Sequence, residues 1–188
     1  EELYSYLANM CDENDLVWDC ATGNGQAARG LSKLFKKVHA TDASAQQIKS
    51  ADGPDNIIFQ TGDAANSGLT AGSVDLITVA QALHWFDLDK FYSEVKRVLK
   101  PNGLLAVWCY GLMTTDKNVD PLFMNFYENV VGEYWPNERI HIENGYQDLA
   151  FPFKKIKCPD FNIEVNWSLD KFLGYLRTWS ATTRYMQN

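Results

Sequence analysis

The stretch Leu16-Val17-Trp18-Asp19-Cys20-Ala21-Thr22-Gly23-Asn24-Gly25-Gln26-Ala27-Ala28 constrains the fold of this chain more than any other. Leu16 to Cys20 is a short apolar run that reads as a buried strand, and it leads straight into a glycine turn. An amphipathic helix follows, with Ala27, Ala28, Leu31, Leu34 and Phe35 on one face. Glycines in such a strand–turn–helix let the backbone pass close to a ligand, and the first N–H groups of the helix face it. The expectation is a small-molecule site for a ligand that carries a nucleoside.

Which nucleoside ligand is decided by the surrounding carboxylates. Gly23-Asn24-Gly25-Gln26-Ala27-Ala28 fits the dinucleotide pattern G-x-G-x-x-G/A. Asp42 closes a second strand-like run, Lys37 to Asp42, where a ribose-binding carboxylate is expected, which suits NAD and S-adenosylmethionine equally. Asp19 lies just before the turn. A pyrophosphate loop has no use for a carboxylate there, whereas the cationic amino group of a methionine moiety does. After a third strand, Asn56 to Thr61, Gly62-Asp63-Ala64 places another carboxylate to accept from an adenine amino group.

These runs, together with Ala-Thr-Asp-Ala-Ser (40–44), Ser-Val-Asp-Leu-Ile (73–77) and Arg-Val-Leu-Lys-Pro-Asn-Gly (97–103), resemble a class I S-adenosylmethionine-dependent methyltransferase. Within that superfamily the chain is similar to the small-molecule group that includes the trans-aconitate methyltransferases. The resemblance covers roughly residues 15 to 110 and departs at Ala21, which stands where the family usually has its first glycine. It implies S-adenosyl-L-methionine as cofactor, with Asp19, Ala21, Thr22, Gly23 and Gly25 at the methionine part. Asp42 and Ala43 would take the ribose and Asp63 and Ala64 the adenine, with Ala80 beside them. The fold implied is a doubly wound, mainly parallel α/β sheet of Rossmann-like order 3-2-1-4-5 plus C-terminal strands, covered by a helical, aromatic substrate lid.

Strands alternating with helices along the chain agree with a parallel α/β sheet. A helix is expected over Glu1 to Met10, another over Ser44 to Ala51, and an apolar β-branched strand over Val74 to Gln81. Asp87 to Leu99 reads as a crossover helix ended by Pro101-Asn102-Gly103, and Leu104 to Tyr110 as the fifth strand. Between strand four and the crossover helix, Ala82 to Asp87 falls at the switch point where ligands collect. His84 there has three readings: a general base, a hydrogen-bonding partner of a substrate carboxylate, or a structural histidine. Trp85 is a further substrate-side candidate, its aromatic face being suited to a sulfonium.

Past Tyr110 the chain becomes aromatic. A helix is expected from Asp120-Pro121 to Tyr134, strands over Phe153 to Cys158 and Phe161 to Trp167, and a last helix over Leu169 to Trp179. Arg177 is the candidate partner of an acidic acceptor. The organisation expected is one domain over 1–188, with a cofactor core over 1–110 and lid and C-terminal strands over 111–188. The first residue is Glu1 and no strand pattern follows Trp179, so the reading allows for truncation at either end.

Composition removes several function classes. At 188 residues with 46% hydrophobic and 22% charged residues the chain can build an ordinary globular core. A net charge of −7 argues against tracking nucleic-acid phosphates and does not favour an anionic membrane surface. No apolar run is long enough to span a bilayer, and no signal-peptide pattern opens the chain. Cys11, Cys20, Cys109 and Cys158 form no C-x-x-C or Cys/His cluster, so no metal is expected and a reduced, cytoplasmic protein is. The function read from the sequence is methyl transfer to a small-molecule acceptor, on oxygen of a carboxylate or hydroxyl, with oligomeric state open. Alternatives are an NAD-dependent oxidoreductase, which would leave Asp19 and Asp63 without roles, and a non-catalytic binder of adenosyl ligands.

Overall fold

A computed structural model describes residues Glu1–Asn188, and the chain divides into two compact units. The first contains Glu1–Cys109 and Tyr146–Phe161, the second Tyr110–Gly145 and Asn162–Asn188.

Five parallel strands form the sheet of the first unit, β1 (Leu16–Cys20), β2 (Lys37–Asp42), β3 (Ile57–Thr61), β4 (Val74–Ala80) and β5 (Leu99–Trp108), in the order β3-β2-β1-β4-β5. The order reverses between β1 and β4, so the carboxyl ends of these two strands open a crevice. Alternate residues of β1 serve opposite faces. Val17 packs with Ala28 and Leu31 of helix α2 (Gln26–Leu31), while Trp18 meets the Phe91 ring of helix α4 (Leu88–Val98) on the other side, 6.3 Å between centroids. Both residues are fully buried. A buried indole needs a partner, and Trp18 Nε1 donates to Thr41 Oγ1 of β2 at 2.8 Å.

The amino ends of three strands are tied by one buried carboxylate. Asp75 of β4 accepts from the backbone N–H groups of Asp15 (3.0 Å) and Leu16 (2.8 Å), and pairs with Lys100 Nζ of β5 at 2.6 Å. The helices α1 (Glu2–Met10) and α3 (Ala45–Ser50) complete the layers, and α3 is capped as its sequence demands, Ser44 accepting from Gln47 N–H.

Three expectations change. Pro101-Asn102-Gly103, read as a turn, lies inside β5, which starts at Leu99 and pairs Leu99 with Val74 and Leu104 with Leu76. The extra residues bulge out of the ladder, which suits a proline with no N–H to give. Gly103 lies where a Cβ would come within 2.9 Å of the Val74 carbonyl. Second, residues 153–158 and 161–167 form no strand, and the sheet ends at β5. Their two-residue alternation is real, but a strand exists only with a neighbour, and here Ile156, Ile163 and Val165 are exposed. Third, the helix expected over 120–134 is broken. Helix α5 (Asp120–Asn125) passes into a π-turn (Phe126–Val130), whose closing bond runs from Val131 N–H to Phe126 carbonyl, and then into a 3₁₀ turn at Gly132–Tyr134.

The second unit also contains α6 (Arg139–Glu143), α7 (Leu169–Arg177) and α8 (Ser180–Tyr185), of which the sequence reading held only α7. Its aromatics make a core of their own, where Phe123, Tyr127 and Trp179 are buried against Trp135, Phe172 and Tyr175. No helix of either unit is long and apolar enough to cross a membrane.

Candidate functional site

At the carboxyl end of β1 the chain leaves the sheet through three left-handed residues in five. Ala21 has φ 57°, Gly23 58° and Gly25 86° before α2 begins at Gln26. Two of these positions carry glycine, the residue such backbone favours. Ala21 holds the same conformation with a Cβ, which for an L-residue costs roughly 1–2 kcal/mol. The turn is bound to its neighbours by Thr22 N–H to Thr41 carbonyl at 2.9 Å and Gly25 N–H to Thr22 carbonyl at 3.0 Å.

Two carboxylates hold this turn from opposite sides. Asp42, the last residue of β2, accepts Gly23 N–H on Oδ2 at 2.9 Å and Ser44 N–H on Oδ1 at 2.8 Å, and remains partly exposed. Asp19 is 1% exposed and accepts from two hydroxyls, Thr22 Oγ1 at 2.5 Å and Thr78 Oγ1 of β4 at 2.8 Å. Burial pushes its carboxyl up to about 6, against the opposing pull of the two hydroxyls and the Ala28 N–H. Asp19 therefore braces the turn to β4 from beneath.

Beyond the strand ends lies a cavity of about 510 Å³, in the range of small-molecule sites. Of the expected residues, Ala21, Asp42, Ala43, Asp63, Ala64, Ala80 and Trp85 line it. Asp63 is exposed after β3, and its Oδ1 accepts Ala65 N–H at 2.9 Å, which turns the chain under the cavity. Asp19, Thr22, Gly23 and Gly25 are not among its lining residues, and Asp19, Thr22 and Gly25 are buried. His84 is not on the wall but packs on Trp85, which is, with ring centroids 4.5 Å apart. Arg177 is exposed in the last turn of α7, in the second unit.

The sequence reading missed Cys20, Thr41, Gln47, Gln81, Phe86 and Asp87, which also line the cavity. Cys20 and Thr41 had a signal, since both end or nearly end strands at the ligand side of a parallel sheet. Gln81 adds a second strained point, φ 56°, where β4 leaves the sheet. Nothing in the sequence marked that conformation.

A family described as "Methyltransferase domain" matches residues 18–107, the span of this sheet and cavity. A Dictyostelium discoideum protein named "Putative methyltransferase" is 39% identical over 191 residues, which cover 100% of this chain and 73% of that protein. The chain belongs to the class I S-adenosylmethionine-dependent methyltransferases. The solved structure of a "Putative Type II Methyltransferase" from Anaeromyxobacter dehalogenans is similar to this methyltransferase with TM-score 0.92 and 39% identity, over 99% of this chain and 79% of that one. An S-adenosylmethionine-dependent methyltransferase from Aquifex aeolicus shares 28% identity at TM-score 0.52, over 62% of this chain and 66% of its own. This membership sets aside the oxidoreductase alternative.

Proposed function

We propose that this methyltransferase moves the methyl group of S-adenosyl-L-methionine to an oxygen of a small-molecule acceptor. The observation that carries the cofactor assignment is Asp42, a carboxylate on the cavity wall whose two oxygens are oriented by backbone N–H groups from the glycine turn and from the start of α3. Each oxygen keeps lone-pair capacity for a hydroxyl, so Asp42 would take the ribose. Asp63 would accept from the adenine amino group, with Ala43 and Ala64 as apolar walls. The Ala21 end of the turn would face the methionine part.

The bound cofactor supplies an already activated sulfonium methyl. What the chain supplies is position, which accounts for the lack of a nucleophile–base pair at the cavity. Asp19, placed beneath the turn, acts on the ligand by shaping the turn and by the field of its charge. The motif resemblance to the trans-aconitate group and the net charge of −7 support a small acceptor rather than a nucleic acid. Trp85 would lie on the acceptor side, and Arg177 is a candidate on its chemistry alone, a guanidinium able to hold a carboxylate.

The experiment is calorimetric titration with S-adenosylhomocysteine and, separately, NADH, on the wild type, Asp42→Ala and Asp63→Ala. Micromolar S-adenosylhomocysteine binding that falls at least tenfold in Asp42→Ala supports the assignment. Binding of NADH alone, or S-adenosylhomocysteine binding indifferent to both substitutions, refutes it.

A further inference from the structure

Tyr146 is where the chain re-enters the first unit after the stretch that begins at Tyr110. It does so with φ 60°, directly after Gly145 at φ 56°. Bulky side chains seldom occupy left-handed backbone, and such outliers persist where the surroundings over-determine them. Here the ring is 8% exposed and its hydroxyl lies 2.9 Å from His84 Nδ1. The His84 ring packs in turn on Trp85 of the cavity wall. One imidazole thus connects a buried phenol to the site.

We propose that Tyr146 is a positioning residue whose O–H donates to His84 Nδ1, fixing His84 as the neutral tautomer with its proton on Nε2, a hydrogen-bond donor and not a proton acceptor. This rests on reading the cavity as the methyl-transfer site. The direction of the bond follows from the use of the phenol oxygen's lone pairs. Leu83 and His84 open the 3₁₀ turn Leu83–Trp85, and the first N–H groups of a helical turn have no partner within it. Both N–H groups act on the Tyr146 oxygen, pulling the phenol down against the larger upward push of burial. An oxygen on which two N–H groups act keeps its own proton to give, and Nδ1 lies 2.9 Å from it. The reverse arrangement would crowd three donors onto one phenol oxygen. Burial holds the phenol well above its ordinary range, so the proton stays on it through neutral and mildly alkaline pH.

Of the three readings of His84, this selects the donor. A hydroxyl acceptor would find no base in it. An acceptor that arrives with a lone pair ready, as a carboxylate does, needs none.

The test is long-range ¹H–¹⁵N NMR of the ¹⁵N-histidine-labelled full chain at pH 8, above the ordinary imidazole pKa of about 6.5. The chain has three histidines, and His84→Gln identifies the His84 signals. The expected wild-type spectrum has an unprotonated Nδ1 and a protonated Nε2 at His84, with a tautomer mixture in Tyr146→Phe. A protonated Nδ1 in the wild type overturns the proposal, as does an unchanged tautomer in Tyr146→Phe. If the variant does not fold, the wild-type spectrum alone decides the tautomer. Failure of the wild type to bind S-adenosylhomocysteine would instead overturn the methyl-transfer reading and leave this spectrum as it is.

Discussion

Replacing Asp19 by asparagine should make the protein more stable above pH 6 while weakening cofactor binding. Asp19 has its carboxyl raised from 3.8 to about 6, chiefly by burial. Between these values the folded chain binds a proton that the unfolded chain has released, so stability falls as pH rises through this window. Fully present below about 3.8, the contribution is lost by about pH 6. A shift of roughly two units corresponds to about 3 kcal/mol between the two limits. The asparagine amide cannot ionise, and the Thr22 and Thr78 hydroxyls can turn to accept from it. Urea denaturation of wild type and Asp19→Asn from pH 4 to pH 8 reads the effect as a shift in midpoint at constant slope. The expected difference is small at pH 4 and reaches about 1–3 kcal/mol in favour of the variant at pH 8. S-adenosylhomocysteine affinity should fall tenfold or more in the same variant, since the turn loses its charge. Parallel stability profiles across the whole range would refute the argument, because the pH dependence would then belong to other groups.

Glu94 predicts the opposite sign. It accepts Ser67 N–H and Oγ and both the Nε and Nη2 of Arg97, and that guanidinium holds it down to about 2. Its stabilisation is present above about pH 4.5 and lost toward pH 2, so Glu94→Gln should flatten acid denaturation over that interval and lose about 2 kcal/mol at pH 7, read by chemical denaturation. Gly25→Ala puts a Cβ on φ 86° backbone and 2.7 Å from the Phe59 ring, and should lose about 1–2 kcal/mol in thermal melts together with cofactor affinity. Ala21→Gly relieves left-handed strain but loosens the unfolded chain by about 0.4–1 kcal/mol, so a net gain near 0.5 kcal/mol is expected, with cofactor affinity kept. A clear destabilisation would mean the Ala21 methyl packs usefully.

The sheet was legible because each strand carries its own signal. β1 and β4 are apolar runs buried on both faces, and β2 was bounded correctly at Lys37–Asp42, where the Ser44-capped helix that follows it is a local feature. The second unit was legible only in part. Its helices are short, three of them are six residues or fewer without a side-chain cap, and their stability comes from aromatic contacts distant in sequence, such as Phe123 with Trp179 at 5.6 Å. Residues 153–158 and 161–167 failed for a related reason. A strand pattern states what a segment offers to a sheet edge, and it cannot state whether an edge is there to take it.

The site divides along the same line. Asp42, which ends β2, and Asp63, two residues past the end of β3, reach the cavity wall because a parallel sheet delivers every strand end to one side. Asp19 is not among the residues that line the cavity, and its carboxylate accepts from Thr22 and Thr78. One residue separates it from the wall residue Ala21, but the strand ends at Cys20 and Ala21 already lies in the left-handed turn, so strand alternation does not carry across to it. Tyr146 lay beyond reach altogether, 62 positions from His84, in a stretch without periodicity. Its hydroxyl lies 2.9 Å from Nδ1 of a residue that the sequence did single out. Position on a strand end therefore selects the groups that line the cavity, while the phenol beside His84 is a partner that only the folded chain supplies.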